Sequence, residues 1–138
     1  MCNGFLALDK LLLLFVTLQY VRAVSITGMR LDACQLSTLC NRLSSLKHLT
    51  SLSLSNNFID LEDHTALKAV CSLLSTLPAL VHLDLSDICL TECLQEILQS
   101  IVSDRFTSIQ LTQYWLSLQD LSALQLFQQR NSITVTLN

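Results

Sequence analysis

The chain is poor in the residues that usually mark linkers, charged surfaces and reactive sites. Among its 138 residues are two glycines and one proline. No glycine- or proline-rich linker therefore divides it, and no low-complexity segment stands out. Charged residues make up 14% and the net charge is −3, against about 25% charged in ordinary soluble domains. No block of Lys or Arg exists, so the electrostatic footprint of a nucleic-acid binder is missing. An acidic tail is missing too. Gly4 and Gly28 stand alone, which excludes a glycine-rich phosphate loop. There is no GxSxG nucleophile motif. Cys2, Cys34, Cys40, Cys71, Cys89 and Cys93 contain no CxxC pair, and no zinc pattern surrounds Cys89 and Cys93. The cysteines are expected to act as small core residues in a reducing compartment.

The sequence does hold a repeated pattern of apolar residues. Residues 49–59 read LTSLSLSNNFI, with Leu49, Leu52, Leu54, Asn57 and Ile59 on an LxxLxLxxNxL frame. A shift of 31 gives LVHLDLSDICL, where Leu80, Leu83, Leu85 and Leu90 match and Ile88 takes the Asn slot. A shift of 28 backward gives VRAVSITGMRL, with Val21, Val24, Ile26 and Leu31 matching and Met29 in that slot. Residues 106–116, FTSIQLTQYWL, place Phe106, Ile109, Leu111 and Leu116 on the frame, with Tyr114 in the slot. A partial copy begins at Arg130 and puts Ile133, Val135 and Asn138 on it.

Ahead of each copy runs an apolar stripe at helical spacing. The stripes are Leu8, Leu11, Phe15 and Leu18, then Leu36, Leu39, Cys40, Leu43 and Leu46, then Leu67, Val70, Cys71, Leu74 and Leu77. Leu94, Ile97, Leu98, Ile101 and Val102 form the fourth, and Leu118, Leu121, Leu124 and Phe127 the last. Asp32 or Asp60, Thr91, and Ser117 with Asp120 are expected to cap helices, and Pro78 to mark a helix stop. Neither a short strand nor an amphipathic helix buries its apolar side alone, and stacking the units joins those sides into one core.

This pattern resembles leucine-rich repeats, in particular the ribonuclease-inhibitor-like subtype, whose units of about 28 residues contain a true helix. The steps between copies here are 28, 31, 26 and 24. The resemblance implies an α/β solenoid, a horseshoe fragment with parallel strands on the concave face and helices on the convex face. It covers nearly the whole chain, from about Leu8 to Asn138, and implies a single domain over residues 1–138 with about four to five repeats and without proper end caps. It implies that Asn57 bonds neighbouring backbone groups at the turn out of its strand. Met29, Ile88 and Tyr114 lack that chemistry, so their turns are expected to be held by packing. The motif residues Leu52, Leu54, Leu83, Leu85, Ile109 and Leu111 take structural, inward-facing roles.

Two-residue alternation sends the residues between the motif leucines to the concave surface. They are Ala23, Ser25 and Thr27; Ser51, Ser53 and Ser55; His82, Asp84 and Ser86; Ser108, Gln110 and Thr112; and Ser132, Thr134 and Thr136. Ser51 through Thr112 form the candidate partner-binding face. A family of this kind implies protein recognition and no catalysis, cofactor or metal. The expected partner is a protein, with neither nucleic acid nor membrane. The alternative is a fragmentary solenoid piece with no independent activity. An intracellular setting, cytoplasmic or nuclear, is expected. The apolar run at 11–18 offers the rival reading of a secretory signal.

Overall fold

A computed structural model of the chain describes residues 20–138. The expected stripe from Leu8 to Leu18 and the signal-like run lie outside those residues. From the first described strand onward the elements are β1 (Ala23–Ser25), α1 (Ala33–Leu43), β2 (Ser51–Ser53), α2 (His64–Leu74) and β3 (His82–Asp84). Next come α3 (Leu94–Ser100), β4 (Ser108–Leu111), a 3-10 turn (Gln113–Trp115), α4 (Leu118–Arg130) and β5 (Thr134–Leu137).

The five strands form one open sheet in the order β1-β2-β3-β4-β5, and every pairing is parallel. Val24, Leu52, Leu83, Ile109 and Val135 are consecutive partners across it. This is the alignment the repeat frame demands: one inward side chain per unit, stacked in a row. Leu52 and Leu83 are 1% exposed and Ile109 fully buried. Leu54, Leu85 and Leu111 form a second fully buried row. Helices lie along the other side, each packed on the next, and their stripes close the core.

The last unit departs from the frame. Val135, not Ile133, stands opposite Ile109, so this copy begins at residue 132 and the step from Phe106 is 26. Asn138 therefore leaves the Asn slot. Because strand side chains alternate with a period of two, a slip of two residues leaves Thr134 and Thr136 on the expected face.

Caps differ from expectation at two helices. Asp32 caps α1 and shares a capping box with Gln35, at 2.7 and 3.0 Å. Helix α2 is capped by Asp63, whose carboxylate accepts from Thr65 and Ala66; Asp60 instead accepts from the Glu62 amide in the preceding turn. Thr91 does not cap α3: its N-cap is Cys93, whose side chain makes no capping bond to the helix and donates instead to Leu61 O at 3.3 Å. Asp120 of the following unit supplies the missing acceptors, to Glu92 N at 2.9 Å and Leu94 N at 3.2 Å. The same carboxylate takes the Ser117 amide and hydroxyl within the capping box of α4. Asp120 is 2% exposed.

Two expected stripe residues face solvent. Val102 falls beyond the end of α3. Leu118 is the first residue of α4, a helix that has a helical neighbour on one side only among the described residues, and it is 85% exposed.

Cys40 is buried, while Cys71, Cys89 and Cys93 are half-buried; all four are free. Cys34 is disulfide-bonded, which departs from the expectation of free thiols throughout. Burial pushes the Cys40 thiol from its ordinary 9.0 up to about 12. Between those values the unfolded chain gives up the proton while the folded chain keeps it. The folded state then binds more protons, so stability falls as pH rises from about 9 toward 12. Chemical denaturation of wild type and Cys40→Ala across pH 8–10.5 is expected to show a steeper alkaline loss in wild type. Parallel profiles would refute the assignment.

Candidate functional site

The concave surface is built from two rows of outward residues. One row is Ala23, Ser51, His82, Ser108 and Thr134; the other is Ser25, Ser53, Asp84, Gln110 and Thr136. Strand pairing alone sets these neighbours, since parallel strands lie about 4.8 Å apart. Ser51, Ser53, His82, Asp84, Ser108 and Gln110 line a trough of about 280 Å³. His82 is exposed, and the other five are half-buried.

Asp84 organises the middle of the face. Its Oδ2 accepts from Ser53 Oγ at 3.2 Å, and its Oδ1 accepts from the Ser86 amide at 3.0 Å. The Ser53 and Ser55 hydroxyls lie 3.1 Å apart. In the Ser–His–Asp arrangement an imidazole stands between the serine and the carboxylate; here the Ser53 hydroxyl donates to the Asp84 carboxylate directly. Two of the expected face residues turn from solvent toward neighbouring turns. Ser86 is 8% exposed and its hydroxyl accepts from Asn138 Nδ2 at 3.1 Å. Thr112 Oγ1 accepts from the Asp87 amide at 2.8 Å.

Asn57 occupies the role the repeat pattern implies, and extends it across units. It is completely buried. Its Nδ2 donates to Leu54 O at 2.9 Å in its own unit and to Ile26 O at 2.6 Å in the preceding one. Its Oδ1 accepts from Met29 N at 2.9 Å. The turn with Met29 in the Asn slot is thus held by the next unit's asparagine. Ile88 is buried and meets the expectation of packing. Tyr114 does not: it is 83% exposed, and its turn is closed by backbone bonds from Trp115 to Thr112 and from Leu116 to Gln113.

A second surface was not visible in the concave pattern. It lies on the rim where the strands turn outward. Arg30 and Phe58 fill the same slot of consecutive units, directly before the motif Leu31 and Ile59. The Arg30 guanidinium carbon lies 5.3 Å from the centroid of the Phe58 ring, a cation–π stack. Phe58 is 70% exposed. Both residues have left-handed backbone, with φ of 48° at Arg30 and 56° at Phe58. That conformation costs a side-chain-bearing residue about 1–2 kcal/mol, and glycine or asparagine fits it with less strain. In the fourth unit the same slot holds Trp115, whose ring meets the exposed Tyr114 edge-on at 4.9 Å. The signal in the sequence was an arginine and two aromatics recurring at one off-frame position.

Among the described residues no group of His, Cys, Asp and Glu is placed to hold a metal ion. No described helix is long and apolar enough to cross a membrane. His64 opens α2 at the surface, and the His48 ring lies 5.2 Å from that of Tyr20.

No known family profile matches the chain, and no curated protein matches it in sequence. Among solved structures it is similar to the tropomodulin C-terminal domain determined in a structural-genomics effort on Caenorhabditis elegans. The two share 20% identity with a TM-score of 0.75, over 92% of this chain and 82% of that one. Together with the parallel strand-and-helix alternation, this likeness supports an open α/β solenoid that is leucine-rich-repeat-like in its fold.

Proposed function

We propose that the chain is a protein-interaction module that binds through its concave strand face and carries no catalytic activity of its own. The observation behind this reading is the pair of outward rows on a five-stranded parallel sheet, almost wholly polar and centred on Asp84. Small hydroxyl side chains lose little rotamer freedom on contact and suit a partner that fits closely against the strands. The described fold is shared with a tropomodulin domain, a likeness that supports a recognition role by analogy of fold. Within this reading the chain is one leucine-rich-repeat domain of the ribonuclease-inhibitor-like subtype. Its partner is a protein, not a nucleic acid or a membrane.

The test is affinity capture with the intact chain and with a His82→Ala/Asp84→Ala double variant, read by quantitative mass spectrometry. Proteins recovered by the intact chain are expected to fall about tenfold with the variant, equivalent to about 1.4 kcal/mol. Unchanged recovery would remove the concave face from consideration.

We place the chain in an intracellular setting, cytoplasmic or nuclear, where the free thiols of Cys40, Cys71, Cys89 and Cys93 persist. The Cys34 disulfide favours an oxidising compartment instead. Alkylation of the thiols at the moment of cell lysis separates the two: a labelled Cys34 supports the reducing setting, and a protected one overturns it.

A further inference from the structure

We propose that the rim pair Arg30–Phe58, with Tyr114 further along the same edge, is a peptide-docking strip. Its ligand is an extended segment that carries a carboxylate beside apolar side chains. The strip is separate from the concave rows and stands whether or not those rows bind anything.

Three observations meet here. First, the side chains are of the kinds that carry interface energy, an arginine and aromatics, and the concave rows contain none. Second, Phe58 is 70% exposed and Tyr114 83% exposed, so their apolar area is open to a ligand. Third, Arg30 and Phe58 stand where left-handed backbone favours glycine or asparagine. Packing does not account for Phe58 there, because most of its ring is in solvent. A bulky aromatic kept exposed on an unfavourable backbone is the pattern expected where a side chain serves recognition at the expense of stability.

The chemistry of the ligand follows from the pair. The guanidinium lies over the Phe58 ring, 5.3 Å from its centroid, and its N–H groups make no hydrogen bond among the described residues, so they are available to a planar acceptor. No carboxylate among the described residues forms an ion pair with it. A carboxylate matches that fork by charge and by geometry. Phe58 belongs to the second unit and Tyr114 to the fourth, roughly 10 Å apart at two strand spacings. An extended peptide rises about 3.3 Å per residue and its side chains return to the same face every second residue, so the two apolar side chains that meet the strip sit about two or four residues apart.

The experiment is a phage-displayed library of random 12-residue peptides, panned on the purified full-length chain. The recovered peptide with the strongest enrichment is then synthesised, labelled and titrated by fluorescence polarisation. Recovered sequences are expected to share Asp or Glu beside apolar residues about two or four positions apart. Arg30→Ser and Phe58→Asn are each expected to weaken binding about tenfold or more, and Tyr114→Ser to weaken it less. Raising the salt concentration should weaken wild type more than Arg30→Ser.

Phe58→Asn should melt at or above the wild-type temperature, since asparagine suits the left-handed turn, so its loss of binding would not reflect unfolding. Arg30→Lys keeps the charge without the fork and should fall between wild type and Arg30→Ser. Failure to enrich any peptide would overturn the proposal. So would affinities indifferent to Arg30 and Phe58. Peptides lost with Asp84→Asn but retained by Phe58→Asn would overturn the rim strip while supporting the concave reading.

Discussion

Asp120→Ala is expected to destabilise the chain by about 3–4 kcal/mol, far more than loss of one helix cap. An ordinary N-cap removed to alanine costs about 1 kcal/mol. Asp120 accepts four hydrogen bonds: from Glu92 N, Leu94 N, Ser117 N and Ser117 Oγ. Bonds to a charged acceptor contribute about 1.5–3 kcal/mol each, and a buried donor left unsatisfied costs about 1–3 kcal/mol. These terms are not additive, because the loops relax and water reaches some of the freed amides. Ser117→Ala removes only the local part of the network and is expected to cost about 1 kcal/mol. Urea denaturation of the two variants separates the roles. Equal losses would show that the bonds from Asp120 to the start of α3 contribute nothing. The physical reason for a large difference is that α3, seven residues long with no side-chain cap of its own, depends on a neighbour for its first turn.

Asn57→Leu should come next, with a loss of about 2–4 kcal/mol. Leucine fills similar volume, so the cost isolates the polar contacts rather than a cavity. Three backbone groups lose their partner: Ile26 O, Leu54 O and Met29 N. The side chain is fully buried, so water does not readily replace it. The effect should appear in two units at once. Hydrogen exchange is expected to accelerate at the Met29 amide, and at Gly28 and Leu31, whose amides donate to the backbone of the second turn. Acceleration confined to residues 54–60 would show that the asparagine serves its own unit alone. Ile88 occupies the corresponding slot one unit later without polar contacts, so Ile88→Ala should leave the Met29 amide unchanged.

Both expectations rest on bonds that cross from one unit to the next, and this marks where reading of the sequence stopped. The strand register was legible because inward residues recur in every unit, and burial enforces that recurrence. The same recurrence placed Ser51, Ser53, His82, Asp84, Ser108 and Gln110 on one face. The helix stripes were legible for α1 and α2, where Leu36 aligns with Leu67 and Leu43 with Leu74. The stripes of α1, α2 and α3 run past the helix ends, at Leu46, Leu77 and Val102; the first two stay buried, whereas Val102 and Leu118, the first residue of α4, face solvent. The last unit was set two residues early because Ile133 and Val135 are both apolar and either fits the frame. Only pairing with Ile109 distinguishes them.

Hydrophobic periodicity by itself determined the solenoid: parallel strands inside, helices outside, and the polar strand face. It did so because burying apolar surface is a local demand, repeated in each unit and written in residue spacing. Tertiary structure decided which polar groups satisfy one another, since those partners come from different units and no spacing rule links them. Asp120 reaches the amides of α3, Asn57 reaches the turn of the preceding unit, and Arg30 lies on Phe58. A hydrogen bond or a ring stack depends on distance and direction in space, and those exist only once the units are stacked.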